Sequence, residues 1–127
     1  MMLRQGESLE GVDLRGSDLS GVDLSGSKLS GSKLGDANLF RANLTGADLS
    51  NASLWHANLK NAILDFANLE GADLDFANLE GVTLRSARIR KATFPLKKVT
   101  MNEIEDAVVR GKRLCMNPAN LADEDLC

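Results

Sequence analysis

Residues 37–50 read Ala-Asn-Leu-Phe-Arg-Ala-Asn-Leu-Thr-Gly-Ala-Asp-Leu-Ser, three passes of one five-residue phrase. Outward from this stretch, leucine recurs at every fifth position from Leu9 to Leu84, sixteen in succession, and Ile89 and Phe94 keep the phase. Two residues before each leucine stands a small side chain: Val12, Ser17, Val22, Ser27 and Ser32 at first, then alanine at 37, 42, 47, 52, 57, 62, 67, 72 and 77. The residue between is Asp, Asn, Lys, Ser or Thr almost throughout. Eighteen copies fit between Gly6 and Pro95. Self-similarity at this scale is the mark of units that stack on one another, and it decides the fold before local propensity is consulted.

A period of five excludes the ordinary elements. On an α-helix it advances about 140° per leucine and scatters the apolar groups over every face. In a regular strand it puts successive leucines on opposite faces. What remains is a closed coil in which each pentapeptide forms one short side and one corner, with the small residue and the leucine inward and the other three positions in water. Glycine fills the corner at 6, 11, 16, 21, 26, 31, 46, 71 and 81, and Asn51 and Asn61 also suit it.

Runs such as Ala37-Asn38-Leu39, Ala47-Asp48-Leu49, Ala57-Asn58-Leu59, Ala67-Asn68-Leu69 and Ala72-Asp73-Leu74 match the A-(D/N)-L-x-x motif letter for letter, and the chain resembles a pentapeptide repeat protein of the short, single-domain bacterial type. The resemblance spans residues 6–95. It implies a right-handed quadrilateral β-helix with four pentapeptides per coil, hence about 4.5 coils and a stack roughly 20 Å tall at one β spacing per coil. The motif is looser at the start, where Ser17, Ser27 and Ser32 point inward with hydroxyls that need partners, and Lys28 and Lys33 replace the usual Asp or Asn.

Residues 96–127 break the phase and are expected to form a C-terminal helical cap. Thr100 and Glu103 have capping-box spacing, Met101, Ile104, Ala107 and Val108 share a face, and Gly111 is placed to end the helix. Asn117-Pro118 suits the start of a second short helix, while Asn120-Leu121 and Asp125-Leu126 suit a partial coil; both readings stay open. A lid here shields an edge that otherwise presents unpaired backbone and leucines.

Composition narrows the function classes. The 127 residues carry a net charge of −3 with both signs interspersed, so there is no basic stripe for nucleic acid. No apolar run approaches membrane length and Met1–Gly6 has no signal-peptide pattern, which leads to the expectation of a cytoplasmic monomer or weak dimer that does not bind membranes. Cys115 and Cys127 are expected as free thiols in such a compartment. With twenty residues per coil, opposite charges stack at Asp13/Lys33, Lys28/Asp48, Lys60/Glu80, Asp65/Arg85 and Glu70/Arg90.

No enzyme chemistry is visible. The only histidine, His56, falls at a corner with no serine or cysteine placed to face it, and Asp13, Asp18 and Asp23 sit on three different sides and diverge, which disfavours a shared metal. There is no phosphate-binding loop and no cofactor is expected. Two features invite partners. One corner column reads Asp36, His56, Phe76, Leu96 with Trp55 beside it, so Trp55, His56, Phe76 and Leu96 form a candidate protein-binding patch; scattered exposed apolar groups, ordinary on soluble proteins, are the alternative. The other is an acidic belt, Asp65, Glu70, Asp73, Asp75 and Glu80, with no Lys or Arg between them.

The expected function is a non-enzymatic structural or protein-interaction module with an unknown protein partner. The resemblance carries one alternative, since some pentapeptide repeat proteins are DNA mimics that inhibit DNA gyrase and confer quinolone resistance. Charge argues against it. Residues 6–95 hold twelve acids and nine bases, whereas duplex DNA of about 20 Å carries roughly twelve uncompensated negative charges.

Overall fold

The computed structural model describes residues 8–115. From Ser8 to Thr93 the middle residue of each pentapeptide forms a parallel bridge with the residue twenty positions on: Ser8 with Lys28, Asp13 with Lys33, Asn38 with Asn58, Asp73 with Thr93. Four sides of five residues therefore return the chain to its starting column. Each side is too short for an extended strand, because three residues separate one corner from the next. The coil β-helix is built from single rungs.

One repeat shows how the backbone is satisfied. Leu39 N–H donates to Asn58 O at 2.7 Å, Asn58 N–H returns to Ala37 O at 2.9 Å, and the corner Arg41 N–H donates to Lys60 O at 2.9 Å. Within the coil, Ala42 N–H closes a turn on Leu39 O at 2.9 Å. That turn needs a left-handed residue at its third position, the demand that type II turns place on glycine or asparagine. The corner glycines supply it, with φ of +68° at Gly46 and +70° at Gly71. Nine corners adopt the same conformation without glycine: Asp36, Arg41, Asn51, His56, Asn61, Phe66, Phe76, Ser86 and Lys91.

The interior is a column of leucine and alanine. Leu24 through Leu79 are almost fully buried, as are the alanines from 37 to 77 and Val82. Small residues alternate with leucines because two side chains per side must fit within a narrow tube, which leaves no room for two large ones. In the first coils Ser27 and Ser32 are fully buried, and neither hydroxyl finds an acceptor among the described residues, nor does that of Thr83. Ser17, expected inside with them, is only half-buried.

Beyond the last rung lies the helix α1, Met101–Arg110. Its capping box is complete: Glu103 N–H donates to Thr100 Oγ1 and Thr100 N–H to Glu103 Oε1, both at 3.2 Å. Gly111 ends it in the left-handed conformation at φ +71°, donating to Ala107 O. Ile104 and Ala107 are buried, and Leu114 and Val99 with them. Met101, grouped with that face from its spacing, is instead 41% exposed, because the first turn overhangs the contact. The upper backbone groups of residues 81–86 meet this segment: Gly81 N–H donates to Leu114 O at 2.7 Å, Leu114 N–H to Val82 O at 3.0 Å, and Ser86 N–H to Val108 O at 2.8 Å. Arg85 adds a bond to Arg110 O at 3.5 Å, at the negative end of the helix dipole.

The expectation of free thiols is corrected at Cys115, which is disulfide-bonded. Cys127 and both readings of residues 117–127 lie outside the described residues. No helix among the described residues is long and apolar enough to cross a membrane.

Candidate interaction surface

The twenty-residue register assembles the corner that the sequence singled out. His56 N–H donates to Asp75 O at 2.9 Å and Asp36 N–H donates to Trp55 O at 3.0 Å, so Gly35 and Asp36 lie one rung below Trp55 and His56, and Asp75 and Phe76 one rung above. The Trp55 and Phe76 rings meet edge to face, centroids 5.9 Å apart at 69°. His56 lies against the indole at 5.3 Å and its Nδ1 is 2.6 Å from Asp36 Oδ1. All of this faces solvent: Trp55 is 45% exposed, Phe76 65% and Leu96 58%. Neither ring fills the core, which runs through Leu54 and Leu74 on the inner side of the same pentapeptides.

Backbone geometry sharpens the point. His56 and Phe76 both hold φ of +61°, in the left-handed region. A bulky residue there costs about 1 kcal/mol or more relative to glycine, a cost this chain meets at nine corners, mostly with polar residues. A phenyl ring at such a corner adds exposed apolar area that neither the turn nor the core requires. Phe66, at φ +62° and 60% exposed, stands on the diagonally opposite corner, and Ile63 is exposed midway along the side that leads to it. Phe40, also expected outward, is half-buried and carries the Arg41 guanidinium over its ring at 5.1 Å.

The acidic belt is dispersed by the same register. Its five members fall on successive corners and sides of one coil, each half-buried, and therefore point in different directions. A base from the next coil reaches Glu70, where Arg88 pairs at 2.9 Å in the place expected of Arg90; Asp65 Oδ1 accepts instead from the backbone N–H of Arg85 at 3.0 Å, and the guanidinium expected to pair with it turns to Arg110 O. Asp73 accepts from Asp75 N–H and from Thr93 Oγ1. The absence of bases between these acids in sequence is not an absence of bases around them in space.

At the other end, Asp13, Asp18 and Asp23 each turn onto their own corner. Arg15 grips Asp13 through both side-chain and backbone hydrogen bonds and pulls its carboxyl down to about 2. Ser20 and Ser25 lower Asp18 and Asp23 through their hydroxyls, then their backbone N–H groups. Asp13 had been paired with Lys33; that lysine is its bridge partner and only a minor contributor.

One residue of the aromatic corner escaped the sequence reading. Gly35 is the only described glycine with φ outside the left-handed region, and it is buried between Arg15 and the Trp55 carbonyl. Its signal was there: it falls one position out of phase with the corner glycines.

Comparison with known proteins now decides the family. The pentapeptide repeats profile matches eight copies across residues 8–46, 37–75 and 62–95. The chain belongs to the pentapeptide repeat family. Solved pentapeptide repeat structures agree with it. HetL, a pentapeptide repeat protein involved in heterocyst differentiation regulation in the cyanobacterium Nostoc sp. strain PCC 7120, is 40% identical with a TM-score of 0.67, over 69% of this chain and 40% of HetL. A second Nostoc pentapeptide repeat protein is 40% identical with a TM-score of 0.63, over 72% of this chain and 79% of its own. A pentapeptide repeat protein of the Arabidopsis thaliana thylakoid lumen is 42% identical with a TM-score of 0.63, over 64% and 56%. The chain thus spans well under two thirds of HetL and of the Arabidopsis protein. No curated protein matches it.

Proposed function

We propose that this pentapeptide repeat protein is a non-enzymatic interaction module: a rigid β-solenoid that presents the corner of Trp55, His56, Phe76 and Leu96 to a protein partner. The observation that carries the reading is the exposed phenyl of Phe76 held at φ +61°, beside the chain's one tryptophan. Neither the core nor the turn calls for it, whereas aromatic anchors are what protein interfaces concentrate. In the same reading the solenoid is right-handed with about 4.5 coils, the segment that follows Pro95 closes its upper edge as a cap, and the protein acts as a monomer or weak dimer with no nucleic acid, membrane or cofactor involved. The gyrase-inhibitor alternative has less support, because the acids that it would use diverge around the tube and two of them are met by arginine backbone or side chain.

A photo-crosslinking amino acid at position 53, two residues before Trp55, tests the reading against one at position 65, across the tube. A purified partner recovered from position 53 should bind the parent chain saturably and lose that binding when Trp55 and Phe76 are both replaced by serine. Equal crosslinking at both positions, or a partner indifferent to the double replacement, would remove the corner from the interface.

A further inference from the structure

The surroundings of the aromatic corner point to the chemistry of what it holds. Trp55 and Phe76 present two ring walls at 69° to each other. One rung above Trp55 stands Asp75, whose carboxylate makes no ion pair among the described residues. Asp36 is one rung below His56 and already bound to it at 2.6 Å. No lysine or arginine occurs between Lys33 and Lys91 in the corner column or on the two rungs that carry the rings; Arg15, further down, is held by Asp13, and Lys97 and Lys98 lie past Leu96. An apolar partner alone would be matched by rings without acids. Acids alone would be matched by any base. Rings and acids together match a group that is both flat and positive.

We propose that this corner receives a cationic side chain projected by the partner protein, arginine in preference to lysine, stacked on Trp55 against the edge of Phe76 with its charge toward Asp75. The proposal rests on the protein-docking reading above and specifies it. Arginine is preferred because its planar, weakly hydrated guanidinium stacks on an indole while donating two parallel hydrogen bonds to a carboxylate, which an ammonium does not do. The chain already contains the same pairing once: the Arg41 guanidinium lies 5.1 Å over the Phe40 ring on a neighbouring corner. The left-handed corner at Phe76 then has a use, since it holds the phenyl out into solvent beside the indole, where its edge can flank a group stacked on Trp55.

Trp55 is the only tryptophan, so its emission reports on this corner alone. The full chain is titrated with an acetylated, amidated tetra-arginine peptide, with tetra-lysine, and with tetra-citrulline, a neutral isostere of the first. Saturable quenching is expected with tetra-arginine, weaker with lysine, and about tenfold weaker with citrulline. Asp75→Asn should weaken the arginine peptide by about fivefold, whereas Asp65→Asn, on the opposite corner and with its hydrogen-bond acceptor retained, should change it by less than about twofold. Circular dichroism confirms that each variant is folded. Equal affinity for arginine and citrulline peptides, or equal weakening by Asp65→Asn and Asp75→Asn, overturns the cation site. If it fails while the crosslinked partner still depends on Trp55 and Phe76, the docking surface stands with an apolar occupant; if both fail, the docking reading falls with it.

Discussion

Replacing Phe76 by glycine separates a ring kept for binding from a ring kept for folding. Three effects of similar size compete. Relief of the left-handed backbone favours the variant by about 1–2 kcal/mol. The greater chain entropy of glycine when unfolded opposes it by about 0.5–1 kcal/mol, and loss of the edge-to-face contact with Trp55 opposes it by about 0.5–1.5 kcal/mol. With the ring 65% exposed, little buried area is surrendered. The expected net change is within about 1.5 kcal/mol of zero. Leu74→Ala, two residues earlier and fully buried in the axial column, should cost about 2–5 kcal/mol. Urea unfolding followed by far-ultraviolet circular dichroism gives both values on one scale. A loss for Phe76→Gly approaching that of Leu74→Ala would show that the phenyl belongs to the fold, and the reasoning from backbone strain to function would fail.

Gly81→Ala should destabilise more than Gly21→Ala: both corners are left-handed, but a Cβ at 81 collides with the Asn61 side chain while one at 21 meets nothing, and thermal melts of the two variants compare them directly. Asp13, whose folded carboxyl is drawn from 3.8 to about 2 chiefly by the Arg15 side chain, contributes stability that is present above its ordinary value and is lost as pH falls from there through about 2. Stability read as a urea midpoint should therefore fall modestly over that window, and Asp13→Asn should show a shallower fall. Ile104→Asp, which puts a charge into the buried contact of α1, should leave the solenoid's circular dichroism signal in place while light scattering reports association end to end; a monodisperse variant would mean that α1 does not guard the upper edge. DNA gyrase supercoiling should proceed unaffected at low-micromolar protein, and inhibition lost on neutralising Asp65, Asp73 and Asp75 would revive the DNA-mimic alternative.

Much of the architecture was legible because it depends on a repeated backbone constraint. A period of five leaves one way to bury Leu54 and Ala52 together, and the corner position followed for Asn51, Asn61 and His56, all left-handed in the structure. With four pentapeptides per coil, as the family resemblance implied, register stacks Phe76 over His56. Individual side-chain choices were not legible. Long basic side chains select among several acids within reach, which is why Arg15 folds back on Asp13 and Arg88 reaches Glu70. Met101 was misjudged because helical spacing gives the face of a residue but not where the contact stops. The state of Cys115 depends on a partner outside the repeat, so no periodicity informs it.

The bridges that join each residue to the one twenty places on give the sequence something like a reading frame. Losing one residue inside the solenoid would rotate every later leucine out of the tube, while losing or gaining twenty would leave each side chain in its column. Segments of that length are thus interchangeable cassettes. Inserting one between Asp36 and Trp55 would carry the rings a rung, about 4.8 Å, further from the aspartate without altering either rung. The spacing between chemical groups on this surface can thus be changed in fixed increments, as marks on a ruler.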